Sequence, residues 1–486
     1  MIGRAFRALA GSLALGSIAA CAHYPVNPPL EPPFDAHSGY RFEALSADTP
    51  DPDRNFVIVT LSGGGTRAAA FAYGVLETLS ETEIGGGRRL LDEVDVISSV
   101  SGGSFAAAYY GLYGQEAFFR DFPDAVLHRP IERDLALRVA APWNWVRLLS
   151  PWYSRSDLAD AYYDEHIFGR RTFADLPRKR PFIVLEATDL SLGARFPFTQ
   201  EHFDRLCSNL DGVTVSRGVT ASSAFPLAFT PLTLDNRPKA SCGYTAPAWV
   251  ELAEQDFEDA PERWSLARTW RDYEDAGRRP FVHLSDGGIA DNIGLRIVGS
   301  SIDGGDSLGI FAGANARAIQ RLVVIVVDAK PRSDPEADLS PRPPGLVDVL
   351  NAAATKPMEN YSADTVERVR LLFDEWDRAA SDFDAMRARC DAMVAPSARE
   401  RCRRAMHVTD ADRPPHPELT LIHVRFEAIP DADARRRLEG VPTSLELPRE
   451  QVDELVKWAH QLLESSPEYR ALVEAMKRDS SPAESP

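Results

Sequence analysis

The sequence lacks clustered positive charge. Its 486 residues include 54 Lys and Arg against 72 Asp and Glu, which gives a formal net charge of −18. Its basic runs are short, such as residues 401–404. A nucleic-acid surface needs a concentrated basic patch to neutralise phosphates. We therefore expect no nucleic-acid partner, and the same acidity argues against electrostatic attraction to anionic lipid headgroups.

Cysteine is scarce, with five residues in the chain. No Cys-His spacing suits zinc and no carboxylate run resembles a calcium loop, so we expect neither a metal nor a cofactor. Beyond Cys21, four cysteines remain, and an even number permits disulfides in an oxidising compartment. Three pairings are open, of which Cys207 with Cys242 and Cys390 with Cys402 close the shorter loops. Four buried free thiols are the alternative.

Long apolar runs are missing except at the N-terminus. The run from Ala8 to Ala20 follows two positive charges, Arg4 and Arg7, and is too short to span a bilayer as a mature helix. Residues 1–20 are therefore predicted to be a signal peptide, which takes the protein out of the cytoplasm.

The end of this segment, Ile18-Ala19-Ala20-Cys21, resembles the lipobox of bacterial lipoproteins, in which the cysteine sulfur receives a diacylglyceryl group. The resemblance implies a lipid anchor on Cys21 and a place in the cell envelope. The outer membrane is favoured because Ala22 is not the aspartate associated with inner-membrane retention. An ordinary secretory signal with a coincidental cysteine is the alternative.

The rest of the chain divides by composition. Residues 21–55 are rich in proline and are predicted to be an extended, poorly packed tether. Residues 56–475 are predicted to form one domain, in which the charged stretch of about 345–410 is a helical insertion. Residues 476–486, rich in Ser, Pro and Glu, are predicted to be a disordered tail.

Short apolar runs recur within the predicted domain. They are Phe56–Leu61, Val94–Val100, Phe182–Leu185, Phe281–Leu284, Leu322–Val327 and Leu419–Phe426. The first two are each followed by glycines and a helical segment, a strand-loop-helix pattern typical of a parallel sheet. No run is long enough to cross a membrane, and the sequence predicts an α/β fold.

Ser101 lies in the second strand-loop-helix unit, within Ser99-Val100-Ser101-Gly102-Gly103. A sharp turn between strand and helix presents a serine as a nucleophile, and small flanking residues let the turn pack tightly. Gly103 fits this pattern, whereas Ser99 stands where glycine is usual. The pattern alone is weak, because Ser-Gly-Gly occurs in many ordinary turns.

A glycine-rich loop follows the first strand, in Ser62-Gly63-Gly64-Gly65-Thr66-Arg67. The backbone N–H groups of Gly63, Gly64 and Gly65 are candidates for an oxyanion hole at the start of a helix. A nucleotide phosphate loop is the alternative, but the Lys-Ser/Thr pair that such a loop needs is absent.

Asp286, in Ser285-Asp286-Gly287-Gly288, follows the Phe281–Leu284 run and is predicted to reach the same edge of the sheet. Its carboxylate can accept the serine proton there, although a plain Asp-Gly turn is the alternative. A conventional triad would need a histidine, and His283 is the one nearby. We expect His283 to be a hydrogen-bonded sheet residue instead.

These three motifs, in this order, resemble the patatin-like phospholipase family over about residues 56–329. The glycine loop with its arginine also resembles the cytosolic phospholipase A2 branch. Two further stretches add to the resemblance, Ala187-Thr188-Asp189-Leu190 and Ala221-Ser222-Ser223-Ala224-Phe225-Pro226. The resemblance implies a three-layer α/β/α fold with a mostly parallel central sheet.

The resemblance also implies chemistry. Ser101 would attack an acyl carbonyl, Asp286 would act as the base without histidine or cofactor, and the amides of Gly64 and Gly65 would bind the oxyanion. Arg67 matches the family's arginine after the glycines, where it would position a substrate phosphate or brace the loop.

We therefore predict a phospholipase A-like lipid acyl hydrolase that acts on phospholipid or another acyl lipid. A catalytically silent lipid-binding lipoprotein, an acyltransferase or a serine peptidase on the same apparatus are the alternatives. Trp143, Trp145 and Trp152, with two leucines between them, are interpreted as a buried cluster, with an apolar lid as the alternative.

Overall fold

A central sheet of eight strands organises the protein. The computed structural model describes residues 24, 26–46, 54–258, 260–303, 310, 319–332, 341–414 and 416–480. The strands are β1 (Asn55–Leu61), β2 (Glu83–Gly85), β3 (Arg88–Arg89), β4 (Val94–Val100), β5 (Phe182–Asp189), β6 (Ala194–Pro197), β7 (Leu232–Asp235), β8 (Phe281–Asp286), β9 (Arg321–Asp328) and β10 (Glu418–Arg425). The large sheet has the order β10-β9-β1-β4-β5-β8-β7, with β6 beside β5, while β2 and β3 form a separate hairpin.

The five strands from β10 to β5 are parallel to one another, whereas β6, β7 and β8 pair antiparallel to their neighbours. Strands β4 and β5 are buried along their whole length, which requires cover on both faces of the sheet. The predicted α/β fold with a mostly parallel central sheet is confirmed.

Helices flank this sheet and connect its parallel strands. They are α1 (Gly65–Glu81), α2 (Gly102–Phe122), α3 (Ile131–Ala140), α4 (Pro142–Leu148), α5 (Arg155–His166), α6 (Gln200–Asp204), α7 (Val215–Ser222), α8 (Ala248–Ala253), α9 (Pro261–Asp272), α10 (Gly288–Asp291), α11 (Arg296–Asp303), α12 (Leu346–Asp391), α13 (Pro396–Ala405), α14 (Ala432–Glu439), α15 (Arg449–Ser465) and α16 (Pro467–Ser480). Within the described ranges, no helix combines the length and apolar character that a membrane span requires.

The prediction of a poorly packed tether over residues 21–55 is wrong for residues 26–46. Tyr40 and Phe42 are buried in the main core, and the Tyr40 hydroxyl accepts a hydrogen bond from the Ile183 amide at 2.9 Å. Between them, buried Arg41 donates to Asp204 at 2.5 Å. The aromatic rings and the paired charge outweigh the extended tendency of the prolines. Residues 1–20 and Cys21 lie outside the described residues.

The tail prediction over 476–486 also needs correction. Helix α16 continues to Ser480, with Met476 buried and the Ser480 hydroxyl donating to the Ile84 carbonyl at 2.8 Å. Residues 481–486 lie outside the described residues. The predicted helical insertion of about 345–410 contains α12 and α13, which lie between the neighbouring strands β9 and β10.

Both short cysteine closures are disulfides, Cys207–Cys242 and Cys390–Cys402. The first lies in a buried cluster with Tyr244, against which Leu30 and Phe34 of the N-terminal segment pack. This disulfide therefore helps to hold the segment that the sequence predicted to be loose.

We predict that replacing Cys207 and Cys242 by serine lowers the free energy of unfolding by about 4 kcal/mol, because the cross-link restricts the unfolded chain over the 35 residues it spans. The 12-residue separation of Cys390 and Cys402 should give about 3 kcal/mol. Urea unfolding of each double variant measures both losses. If the native protein had the same urea midpoint with its disulfides intact and with its disulfides reduced by dithiothreitol, the prediction would be contradicted.

Candidate active site

Ser101 occupies the turn between β4 and α2 in a backbone conformation that side chains rarely adopt. Its φ is 48° and its ψ is −116°. Such a conformation costs on the order of 1–3 kcal/mol and persists only where the surroundings enforce it. A β-carbon on Gly102 would lie 2.1 Å from the Gly65 carbonyl oxygen, so the elbow can exist only with glycine beside the serine.

Ser222, at the end of α7, secures the elbow from the other side. Its hydroxyl accepts a hydrogen bond from the Ser101 amide at 2.9 Å and donates to the Glu186 carbonyl at 2.6 Å. The Ser104 hydroxyl shares this contact at 2.9 Å. Sequence reasoning noted Ser222 only within a family-like stretch and assigned it no role, because its partner is 121 residues away.

The Ser101 side chain lies close enough to the Asp286 carboxyl group to lower its pKa, and Asp286 and Ser101 are 4% and 8% exposed. Burial raises the pKa of Asp286 to about 6, against the lowering effect of hydrogen bonds from the Gly288 amide and Ser101. The Gly288 amide lies 2.8 Å from Oδ1. The carboxylate is therefore ionised at neutral pH and can accept the serine proton.

The sheet brings Asp286 to Ser101 in a way that the local sequence pattern does not predict. Strand β8 runs antiparallel to β5, in the direction opposite to that of the parallel strands. However, Asp286 pairs with Ala187, one residue beyond the Glu186 that pairs with Val100. Asp286 therefore lies at the carboxyl edge of the parallel strands, beside the elbow, because of its register with the long strand β5.

The glycine loop between β1 and α1 lies beside this pair, and its three glycines differ in role. The Gly63 amide donates to the Asn292 carbonyl at 2.9 Å, so its prediction as an oxyanion donor is wrong. Gly64 and Gly65 have φ values of 139° and 60°. Among the described residues, neither of their amides has a protein acceptor, and both remain candidates for the oxyanion hole.

Arg67 braces the glycine loop, and the prediction that it positions substrate is not supported. Its side chain is buried and donates to the carbonyls of Ala329 and Val441 at 2.9 and 2.5 Å and to the Thr443 hydroxyl at 3.0 Å. The guanidinium thus ties the start of α1 to two distant segments, because its several N–H donors, held in one rigid plane, can bind more than one acceptor at once.

The segment that receives Arg67 also closes over the loop, a role that the sequence did not reveal. The Ser444 carbonyl accepts a hydrogen bond from the Thr66 amide at 2.8 Å, and it would collide with any β-carbon on Gly65. The Ser444 hydroxyl donates to Glu132 of α3 at 2.5 Å. No motif marks this polar loop, which lies more than 370 residues after Arg67.

His283 is an exposed strand residue whose ring nitrogen contacts the Thr233 hydroxyl at 3.1 Å. This contact agrees with its interpretation as a hydrogen-bonded sheet residue. Thr188, in contrast, supports the Asp286 turn directly, because its hydroxyl donates to the Asp286 carbonyl at 2.8 Å.

A cavity of about 370 Å³ opens near the β5–β6 hairpin, between α9, α11 and α12. Neither Ser101 nor Asp286 lines it. On the Asp286 side, the sulfur of buried Met358 in α12 lies 3.4 Å from the position of a β-carbon on Gly288. The helical insertion therefore covers the turn that carries the carboxylate.

Residues 59–298 match the family model described as patatin-like phospholipase. The chain thus carries a patatin-like phospholipase domain over these residues. No curated protein sequence matches the chain.

A comparison with solved structures matches the chain to two structures of the human GIVD cytosolic phospholipase A2, one of them in complex with methyl gamma-linolenyl fluorophosphonate. They are 13% and 12% identical, with TM-scores of 0.40 and 0.41, and each alignment covers 90% of this chain and 62% of the human chain. A third match is the complex of SpcU with ExoU from Pseudomonas aeruginosa, at 13% identity and a TM-score of 0.21. The alignment covers 92% of this chain and 98% of that chain.

Replacing Arg67 by methionine should lower the free energy of unfolding by about 3 kcal/mol, because two buried carbonyl acceptors lose a charged donor. Hydrolysis of phospholipid and of an uncharged ester should fall by the same factor. Urea unfolding and parallel assays of the two substrates test this. The control is Arg478→Met, which replaces an exposed arginine of α16. A loss confined to phospholipid would instead indicate phosphate recognition.

Asp286→Asn should stabilise the fold at pH 7 by up to about 3 kcal/mol. Because the pKa of Asp286 is raised from 3.8 to about 6, its charge destabilises the folded state increasingly as the pH rises through this range. The gain in stability should vanish below about pH 4, where Asp286 is protonated in both the folded and the unfolded state. Urea unfolding at the two pH values measures it, and equal stability of native protein and variant at pH 7 would refute the buried charge.

Proposed function

We propose that the protein hydrolyses acyl esters of phospholipids through a Ser101–Asp286 dyad. The observation that carries the proposal is the closeness of the Ser101 side chain to the buried Asp286 carboxylate, beside the Gly64 and Gly65 amides, which have no acceptor among the described residues. Nucleophile, base and oxyanion donors are the three components that acyl transfer requires. The family match supports a lipid as the substrate class.

In the proposed first step, the Ser101 Oγ attacks the ester carbonyl carbon while Asp286 takes the hydroxyl proton. The carbonyl oxygen becomes an oxyanion and accepts hydrogen bonds from Gly64 and Gly65, each worth about 3 kcal/mol of the barrier. Asp286 then returns the proton to the departing lysophospholipid oxygen, which leaves an acyl group on Ser101.

In the second step, water attacks the acyl-enzyme and Asp286 takes its proton. The same oxyanion site stabilises the intermediate, and the proton returns to Ser101 as the fatty acid leaves. The rate should therefore rise with pH as Asp286 ionises, through its pKa of about 6. An acyltransferase would differ only in the acceptor that replaces water.

We also propose a lipid anchor on Cys21 and a location in the cell envelope, with the outer membrane favoured. The support is the sequence Ile18-Ala19-Ala20-Cys21 after a short apolar run. Two disulfides agree with an oxidising compartment. An anchor there would keep the domain close to its proposed substrate.

The test is fatty-acid release from phospholipid vesicles by residues 22–486, which contain every described contact. Ser101→Ala and Asp286→Asn should each lower turnover by about a thousandfold or more, and Ser101→Ala should abolish labelling by a fluorophosphonate. Circular dichroism confirms that each variant is folded.

Two control variants test whether the Ser101–Asp286 pair is specific and sufficient. Ser216 and Asp160 form another buried Ser-Asp hydrogen bond, at 2.7 Å, so Ser216→Ala should keep both activity and labelling. His283→Ala should also remain active. Loss of turnover in folded His283→Ala would point to a histidine base, and inertness of the native protein on every ester would favour a lipid-binding protein.

A further inference from the structure

The exposed surface of residues 137–155, at the end of α3, in α4 and in the following turn, departs from the rest of the molecule. Its large apolar side chains face solvent, contrary to the predicted buried cluster, with exposed fractions of 63% for Leu137, 75% for Trp143, 55% for Trp145, 76% for Leu149 and 57% for Trp152. Tryptophans are normally at least partly buried, and exposed groups of this kind mark interaction sites.

The charge of this surface is opposite to that of the chain. Between Leu135 and Ser156 the sequence has three arginines and no Asp or Glu, in a protein of net charge −18. Arg138 pairs with Glu165 at 2.8 Å, whereas Arg147 stacks on the Tyr153 ring at 4.3 Å. Tryptophan and arginine together are typical of a protein face at the boundary between lipid headgroups and acyl chains.

The surface is attached to the candidate active site on two sides. The Arg155 guanidinium donates to the Leu227 carbonyl at 3.2 Å, three residues after Ala224, whose carbonyl accepts the Asp286 amide. Leu227 is itself 47% exposed. At the other end of α3, Glu132 binds Ser444, which covers the glycine loop.

We propose that this tryptophan–arginine surface docks onto the surface of a phospholipid bilayer and brings the dyad to its substrate. The proposal rests on the proposed function for its purpose, but docking itself needs no turnover. Its occupant is a bilayer with anionic lipids, because the local positive charge complements phosphate and the indole rings suit the headgroup region. The proposal makes this face an exception to the expectation, drawn from the net charge, that acidity argues against electrostatic attraction to anionic headgroups.

The test measures vesicle binding with residues 22–486 carrying Ser101→Ala, so that no lipid is consumed. Leu137→Ser, Trp143→Ser and Leu149→Ser together should weaken binding about tenfold or more, since each removes apolar area from the interface. Trp145 stays, because its ring N–H donates to the Val139 carbonyl at 2.9 Å. Trp152 also stays, as a fluorescence reporter of contact with lipid.

Two comparisons make the test specific. The double substitution Leu252→Ser and Phe257→Ser should leave vesicle binding unchanged. Both residues are exposed, at 62% and 57%, but lie outside the tryptophan–arginine surface. Arg147→Gln with Arg155→Gln should weaken binding to phosphatidylcholine vesicles containing phosphatidylglycerol more than to phosphatidylcholine alone, and added salt should remove the difference.

The outcomes also separate docking from catalysis. With Ser101 restored, the triple variant should hydrolyse a short soluble ester at the native rate, while fatty-acid release from vesicles falls in parallel with binding. Vesicle binding by a protein that is inert on all esters would retain docking and remove the hydrolase. Absence of vesicle binding, unchanged binding by the triple variant, or concentration-dependent dimers that the triple variant loses would overturn the docking proposal.

Discussion

The close contact of two glycine loops is the constraint on which the candidate active site depends. The Gly65 carbonyl oxygen lies 2.1 Å from the position of a β-carbon on Gly102, and the Ser444 carbonyl oxygen lies 2.3 Å from that of a β-carbon on Gly65. Three backbone segments therefore meet without intervening side chains. This approach forces Ser101 into its unusual conformation and keeps two loop amides beside it, so the proposed nucleophile and the proposed oxyanion donors share one steric cause.

That contact is held by long-range hydrogen bonds instead of local ones. Arg67 joins the start of α1 to the ends of β9 and α14, and Ser222 joins the elbow to β5. Each bond connects parts of the chain that are far apart in sequence. The strain at Ser101 is thus offset by partners in the whole domain, which is why the site requires a complete sheet.

The sequence predicts what local pattern determines. Apolar runs predict six strands because a strand buried on both faces needs consecutive apolar residues, and the glycine and serine motifs predict the two loops. The sequence does not reveal the partners of those loops, such as Ser444, because a polar loop has no periodicity. It also fails where tertiary contacts override composition, as for the proline-rich segment that Arg41 and Tyr40 pin to the core.

Asp286 also depends partly on local sequence and partly on tertiary contacts. Its motif identifies the carboxylate, but the direction of β8 depends on the neighbour it finds, and pairing with β5 is antiparallel. The residue still reaches Ser101 because β5 extends three residues beyond the Glu186 that pairs with Val100, which gives β8 room to pair at the level of the elbow. The proposed dyad thus depends on a strand register that no local pattern specifies.

A carboxylate that acts without histidine must be basic enough to take a serine proton and must still be charged at neutral pH. In water an aspartate is a weak base, and burial strengthens it by penalising the charge. Full burial without donors would protonate it, but the Gly288 amide and the Ser101 hydroxyl limit the rise in pKa to about 6. The apolar surroundings and two hydrogen bonds thus set opposite limits, and Asp286 lies between them in the range that general-base catalysis at neutral pH requires.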